Sequence, residues 1–335
     1  MNLKDFYFDL PEHLIAQHPL HRRDQARLMV VNRKTGEIRL DIFRRLGAYL
    51  PPDSCLVVND SKVVPARLIT RRKTGAAVEI FLLRPLGDGY AYEVLLRPAR
   101  RLKIGEKFLF CSGALIAEII SKENPTVRFN RKDIGTFLRR VGHIPLPPYI
   151  RREDTAEDRK YYQTVYAKND GSVASATAGL HFTPSLLDRL RGSGHTTESV
   201  TLHINYGTFK PVEEQRIEDH VMHSEKFHIE PEVYARITQA KHDGRPIVAV
   251  GTTSCRALES AARAKELKGE TDIFIYPGYQ FQTIDALITN FHLPHSTLLM
   301  LVAAFAGHAL MKQAYQVAVK EQYRFFSYGD AMLII

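Results

Sequence analysis

Three prolines in four positions, within IPLPPYI at Ile144 to Ile150, constrain the fold of this chain more than any other feature. Proline has no amide hydrogen and a fixed φ, so the segment can continue neither a helix nor a central strand, and it reads as a linker. The texture differs on its two sides. Before it, from about Leu68 to Phe129, short β-rich runs (VEIFLL, YEVLL, EKFLF, LIAEII, TVRF) are punctuated by Gly, Pro, Asn and Asp, the pattern of a small antiparallel barrel or sandwich. Elsewhere strands and helices alternate. The expected architecture is therefore α/β: a mixed α/β main domain over residues 1–66 and 151–335, interrupted by an inserted small antiparallel β-barrel domain over 67–150.

The larger domain can be followed element by element. RLMVV (Arg27 to Val31), a turn at Asn32 to Gly36 and EIRLDIF (Glu37 to Phe43) predict a hairpin, and CLVV (Cys55 to Val58) a strand running into Asn59, Asp60 and Ser61. Thr183 before Pro184 is an N-cap with proline at the first helical position, opening a helix that Gly192 can end. Val200, Leu202 and Ile204 alternate with polar residues in a half-buried strand that carries His203. Pro231 opens another helix, closed at Gly244. PIVAV (Pro246 to Val250) leads through Gly251, Thr252 and Thr253 to a helix expected from Ser254 to about Leu267.

At 335 residues, 44% hydrophobic and 25% charged, the chain has room for about two globular domains. Its longest apolar stretch, Leu298 to Ala306, falls far short of the roughly 20 residues that span a bilayer. The opening MNLKDFYFDLPEHL lacks the apolar core of a signal peptide, so a cytoplasmic location is expected. Three scattered cysteines with no CxxC pair argue against a disulfide framework and against structural zinc. Charge is uneven: Lys62 to Ile150 holds 17 Lys or Arg and 7 Asp or Glu, so its surplus of ten exceeds the +9 of the whole chain. Such a block either attracts a polyanion, nucleic-acid phosphate first among them, or is a solvated face that aids solubility.

Polar residues recur inside the most apolar runs, TNFHLPHSTLLMLV (Thr289 to Val302) and YRFFSYGDAMLI (Tyr323 to Ile334). Burying Asn290, His292, Arg324 and Asp330 there costs free energy unless each finds a partner, in the core or in a ligand. VGTTS at the strand–helix junction offers free N–H groups and a helix dipole to an anion, or is an ordinary N-cap. SVASATAGLHFT (Ser172 to Thr183) combines small residues with Thr177, Gly179 and His181, either a close approach for a flat ligand with a proton carrier or a tightly packed turn. HVMHSEKFH gathers His220, His223, Glu225 and His228 but matches no standard zinc spacing; Glu225 suits a general base or a cationic partner better than a metal ligand. Rings near glycine turns in YGTFKPV, IYPGYQF and YRFFSYGD can stack on a purine or face a sulfonium, or simply fill the core.

Eight strings in order, NDSKVVPARL, YQTVYAKNDGSVASATAGLHFT, LHINYGTFKPV, HVMHSE, VGTTSCRALES, PGYQF, TNFHLPHSTLLMLV and YRFFSYGDAML, closely resemble the S-adenosylmethionine:tRNA ribosyltransferase-isomerase family of queuosine biosynthesis and cover nearly the whole chain. Departures are mild: Ser175-Ala176 stands where the family commonly has Ala-Pro, Lys62 where Arg is usual, and Asn205-Tyr206 where small residues are common. The resemblance implies an α/β domain interrupted by a β-barrel. It also implies transfer of the ribosyl part of S-adenosylmethionine to the aminomethyl group of a 7-deazaguanine wobble base in tRNA. Adenine and methionine leave, and the ribose isomerises to give epoxyqueuosine. S-adenosylmethionine is then a consumed co-substrate; no metal or redox cofactor follows from this chemistry, and a monomer is expected.

On that resemblance, the C5′ proton acidified by the sulfonium is assigned to His181 or Glu225, and the sulfonium or leaving base to Asp330. Thr252, Thr253 and Arg256 are expected to grip the methionine carboxylate, and Asn290 and His292 to orient adenine or ribose. Asn59, Asp60, Arg67, Thr177, Gly179, His203, Phe326 and Tyr328 complete the expected substrate-binding set. Arg71, Arg72, Lys73, Arg100, Arg101 and Lys103 in the insert, with Arg151 and Arg152 beyond it, are the expected tRNA contacts. Two rivals remain at this stage: an S-adenosylmethionine-dependent methyltransferase, disfavoured by the missing glycine-rich loop after an early strand, and a non-catalytic RNA-binding protein supported by the basic block.

Overall fold

The computed structural model describes residues 1–335 except Lys73, Lys210 and Pro211, with the side chains of Thr208 and Phe209 also outside the description. The chain divides into two compact units, one of residues 1–62, 147–152 and 161–335, the other of residues 63–146 and 153–160. The proline run is thus shared, Ile144–Leu146 falling in one unit and Pro147–Ile150 in the other.

Among the described residues of the first unit, nine strands form one mixed sheet in the order Lys268–Thr271, Glu225–His228, Thr196–Leu202, Cys55–Asn59, Ile247–Val250, Ala286–Asn290, Ala331–Ile334, Arg27–Val31 and Ile38–Ile42. The four from Thr196–Leu202 to Ala286–Asn290 are parallel, and Ala331–Ile334 returns antiparallel. Cys55–Asn59, Ile247–Val250 and Ala286–Asn290 are buried along their whole length, as strands covered on both faces must be. Side chains alternate across a strand, so each one feeds two cores. Cys55, Val57, Ile247 and Ala249 pack on one side with helices Pro231–His242, Thr252–Ala264 and Thr297–Ala306; Leu56, Val58, Val248 and Val250 pack on the other with Phe43, Leu186 and Leu190.

Local chemistry sets the helix boundaries. Thr183 Oγ1 accepts the Leu186 amide at 3.2 Å, with Pro184 at the first position, opening the helix as far as Gly192. The helix expected from Ser254 begins two residues earlier, at Thr252. Gly251 at φ +92 turns the chain there and accepts the Cys255 amide at 3.2 Å. It also ends early, at Ala264, because Lys265 is left-handed (φ +56) and Lys268–Thr271 is recruited as a strand beside Glu225–His228. That pairing makes Glu225–His228 extended. No single helix among the described residues is long and apolar enough to cross a membrane; Thr297–Ala306 and His308–Lys320 together pass by length and composition only and bend by 115°.

In the second unit, six antiparallel strands form a nearly closed barrel in the order Arg67–Arg71, Ala77–Leu86, Ala91–Arg97, Thr126–Phe129, Leu115–Ser121 and Lys107–Phe110. Alternation decides what lies inside: Leu115, Ala117 and Ile119 are buried while their neighbours are wetter, as is Val78 in Ala77–Leu86, where Ile80, Phe81 and Leu82 are then buried in a row.

Candidate active site

The four parallel strands end on one side of the sheet, at Asn59, Leu202, Val250 and Asn290, the side on which open α/β sheets bind ligands. A cleft of about 810 Å³, counted to its open mouth, lies here. Its wall includes Gly251, Thr252 and Thr253 at the helix start, Ser175 and Thr177 from the small-residue turn, and Asn290 and His292 beyond their strand. Phe326 and Tyr149 close another side, their rings stacked at 4.1 Å and 25°, with Tyr149 Oη and Ser327 Oγ sharing a 2.6 Å hydrogen bond. Phe326 holds φ +71, a left-handed conformation that a bulky residue adopts only when its surroundings impose it.

Among the described residues, three buried polar atoms in this wall have no partner: Ser175 Oγ, Thr253 Oγ1 and Asn290 Oδ1. An unsatisfied buried acceptor or donor costs about 1–3 kcal/mol, so their convergence on one cavity marks groups kept for a ligand. Around the helix start, Thr253 adds a hydroxyl to amides that already favour negative charge.

Asn290 also fixes His181. Its Nδ2 donates to the Phe326 carbonyl at 3.2 Å, which sets the amide orientation, and so it also donates to His181 Nε2 at 3.1 Å. Nδ1 is then the protonated ring nitrogen. Burial pulls His181 down to about 4, against the field of Asp330 that favours the charged ring, and the imidazole is neutral at pH 7. His292 is neutral too: burial takes it to about 3, Thr289 Oγ1 lies 2.7 Å from Nε2, and its amide donates to Tyr315 Oη at 3.0 Å.

The remaining expected residues fall elsewhere. Glu225 and Arg256 form a buried ion pair in a neighbouring pocket of about 470 Å³ that shares Leu298 with the cleft; Glu225 Oε1 also accepts the Asn205 amide at 3.1 Å, while Arg256 Nη2 has no partner among the described residues. A third pocket, about 280 Å³, holds His181 and Tyr328 and shares Ser327 with the cleft. Asp330 lines none of these three pockets. It accepts the Arg27 and Arg324 amides at 2.9 and 2.8 Å and Arg324 Nη2 at 3.1 Å, so its carboxylate ties two chain segments together.

Asn59 spends its amide on the Leu202 backbone (3.0 Å each way) and the Ser61 amide (3.1 Å), and Asp60 accepts from Thr201 at 2.6 Å and Asn169 at 3.1 Å. Gly179 is a packing glycine: an added Cβ would lie 2.0 Å from Tyr166 Oη. His203, its pKa lowered by burial, sits against Gly171 with Nδ1 unpartnered among the described residues. Ser175, Tyr149 and Ser327 are wall residues that sequence reasoning did not assign. Ser175 stood in a string already singled out, whereas nothing in a proline-rich linker identified Tyr149.

In the second unit, Arg67 pairs with Glu79 at 2.6 Å and Arg72 grips both oxygens of Glu106 at 2.7 and 3.1 Å. Arg100, Arg101 and Lys103 are exposed, and Arg71 donates to the Gly75 carbonyl at 2.9 Å. Lys73 lies outside the described residues. In the first unit, Arg151 pairs with Glu12 and Arg152 donates to the Gln17 carbonyl at 2.9 Å. Among the described residues no group of three or more His, Cys, Asp or Glu is placed to hold a metal ion.

Comparison with known proteins bears on the chain as a whole. The family model described as "Queuosine biosynthesis protein" matches residues 3–334. Proteins named S-adenosylmethionine:tRNA ribosyltransferase-isomerase from Thermoanaerobacter sp. (strain X514) and Sulfurihydrogenibium sp. (strain YO3AOP1) are 50% and 51% identical, each alignment covering 100% of both chains. A crystal structure of S-adenosylmethionine tRNA ribosyltransferase from Thermotoga maritima superposes with a TM-score of 0.57 at 37% identity, covering 99% of this chain and 100% of that one. A match along the full length, with relatives at half identity and a solved structure of the same architecture, places the chain in the queuosine biosynthesis protein family, the family of the S-adenosylmethionine:tRNA ribosyltransferase-isomerases.

Proposed function

We propose that this protein transfers and isomerises the ribosyl moiety of S-adenosylmethionine onto the 7-aminomethyl-7-deazaguanine wobble base of tRNA, yielding epoxyqueuosine-tRNA, adenine and methionine. The observation that carries the reading is the convergence of three unpartnered buried polar atoms on the cleft at the strand ends, in a chain of this family. S-adenosylmethionine enters as a consumed co-substrate. Its nucleoside lies against the Phe326–Tyr149 stack, with adenine or ribose donors satisfying Asn290 Oδ1. Its carboxylate meets the Thr252–Thr253 helix start, with Arg256 Nη2, in the pocket that shares Leu298 with the cleft, as a guanidinium donor still unspent among the described residues.

For the C5′ proton, His181 is the better of the two candidates, because Glu225 is held between Arg256 and the Asn205 amide in the adjoining pocket. His181 is already neutral, and its Nε2 lone pair is freed when Asn290 turns its amide to the ligand. Asp330 acts through the ring it faces, favouring the imidazolium once the proton has moved, and does not touch the sulfonium. The barrel unit supplies phosphate contacts through Arg100, Arg101 and Lys103, which stand exposed on or beside one short turn.

Incubation with S-adenosylmethionine and tRNA bearing the aminomethyl-deazaguanine tests the reading, with free adenine and the nucleoside mass as readouts. Release of adenine with a ribosyl-derived mass gain is expected. A methylated nucleoside without adenine, or tRNA binding without consumption of S-adenosylmethionine, overturns it. Alanine at both Arg100 and Arg101 should weaken tRNA binding and flatten the slope of log K against log salt by roughly 0.7–0.9 per lost phosphate contact. An unchanged slope removes them from the RNA footprint.

A further inference from the structure

Two substrates must meet for a ribosyl group to pass between them, and the cleft accounts for only one. The third pocket shares Ser327 with the cleft, and His181, which lines it, is hydrogen-bonded at 3.1 Å to Asn290 of the cleft wall. The two cavities thus share Ser327 in their walls and are linked through the His181–Asn290 hydrogen bond. The smaller one is built from arginine and tyrosine. The Arg23 guanidinium lies 5.5 Å from the centre of the Tyr161 ring and donates to the Gln163 carbonyl at 2.9 Å, and Arg324 is held by Asp330. Tyr328 stands edge-on to Tyr162 on the same side. His21 and Arg22 are exposed next to this pocket in sequence, Arg22 lying 3.8 Å from Asp24.

Rings and guanidinium planes that interleave in a small cavity are the chemistry by which proteins hold an unstacked base of single-stranded RNA, with arginine also serving the flanking phosphate. We infer that the pocket formed by Arg23, Tyr161, His181, Arg324 and Tyr328 receives the acceptor nucleotide of the RNA, flipped out of its loop, so that its amine faces the ribose across the His181–Asn290 pair. The inference rests on the proposed function and adds where the second substrate docks. The pocket is smaller than the cleft, about 280 Å³ counted to its open mouth.

Two variants test it by steady-state kinetics with adenine release as readout, alongside direct measurement of S-adenosylmethionine binding. Arg23→Ala removes the guanidinium, and Leu20→Trp fills the pocket from its half-buried wall while leaving every charge in place. Each should raise KM for the modified tRNA at least tenfold and leave the Kd for S-adenosylmethionine within twofold of wild type. A tRNA KM within twofold of wild type in a folded variant, or equal weakening of both substrates, overturns the inference. Leu20→Trp decides the matter if Arg23→Ala fails to fold, since Arg23 also braces the Gln163 carbonyl. Wild-type enzyme that releases no adenine with any modified tRNA would defeat the proposed function instead, and the two failures are thereby told apart.

Discussion

Two adjacent ends of the same sheet handle buried polar residues in opposite ways. At the end of Cys55–Asn59, Asn59 and Asp60 are saturated: the Leu202 backbone, the Ser61 amide, Thr201 and Asn169 take up their capacity within 3.1 Å. One and two strands away, at the ends of Ile247–Val250 and Ala286–Asn290, Thr253 and Asn290 are also buried yet retain atoms with no partner among the described residues. Burial alone does not separate a site from a scaffold; unspent hydrogen-bonding capacity does. Saturated groups lock strands together, and unsaturated ones wait for a ligand.

The sharpest way to break this contrast is Asn290→Ala. Losing both the free acceptor and the hold on His181 should lower turnover by about 100-fold or more, while stranding His181 Nε2 costs about 1–3 kcal/mol of stability, the Phe326 carbonyl keeping the Gly329 amide. A variant that keeps full activity would make Asn290 scaffold like Asn59.

Acid is the next largest lever, and it acts on the cleft wall. His181 and His292 sit near 4 and 3 in the folded protein, below the ordinary 6.5. As pH falls below about 6.5 the unfolded chain takes up these protons and the native protein does not, so stability present above that pH is lost. Each ring contributes up to about 1.4 kcal/mol per pH unit until its folded pKa is reached. Urea unfolding from pH 7 to 4.5 should show the decline, and His292→Asn should flatten it; a level profile would mean that the rings are not held neutral.

Asn59→Ala attacks the other side of the comparison. It strands the Leu202 amide and carbonyl and should cost about 2–4 kcal/mol in denaturant unfolding, with kcat per folded molecule unchanged. Loss of activity without loss of stability would move Asn59 into the site. The smallest effect belongs to Thr253→Val, which removes an unpaired hydroxyl at nearly constant shape. Stability should hold or rise slightly while affinity for S-adenosylmethionine falls roughly five- to tenfold, about 1–1.4 kcal/mol; unchanged affinity would show that the hydroxyl waits for nothing.

Much of this was legible in the chain because it is locally encoded. Thr183-Pro184, the GTT junction and the alternating barrel runs each specify their own structure within a few residues. The strings around Thr177, Thr252 and Asn290 did mark the cleft wall. What was not legible depends on distant partners. Asn59 looks like any polar residue after a strand until Leu202, 143 positions later, takes its amide. Asp330 reads as a carboxylate among aromatics until Arg27, 303 positions earlier, is found donating to it. Glu225 and Arg256, 31 apart, were assigned separate tasks, and only their pairing shows that neither is a free charge. The early start at Thr252 was missed because glycine at φ +92 can begin a helix without a side-chain cap.

The placement of Ala331–Ile334 between Ala286–Asn290 and Arg27–Val31 has a consequence for assembly. The hairpin at Arg27–Ile42 is synthesised first among the sheet strands but is joined to the others only by the strand synthesised last. During translation it has no edge to join, and it must stay unpaired or be shielded until nearly three hundred further residues have emerged. Trimming the chain after Asp330 would therefore be expected to detach the beginning of the protein, not its end.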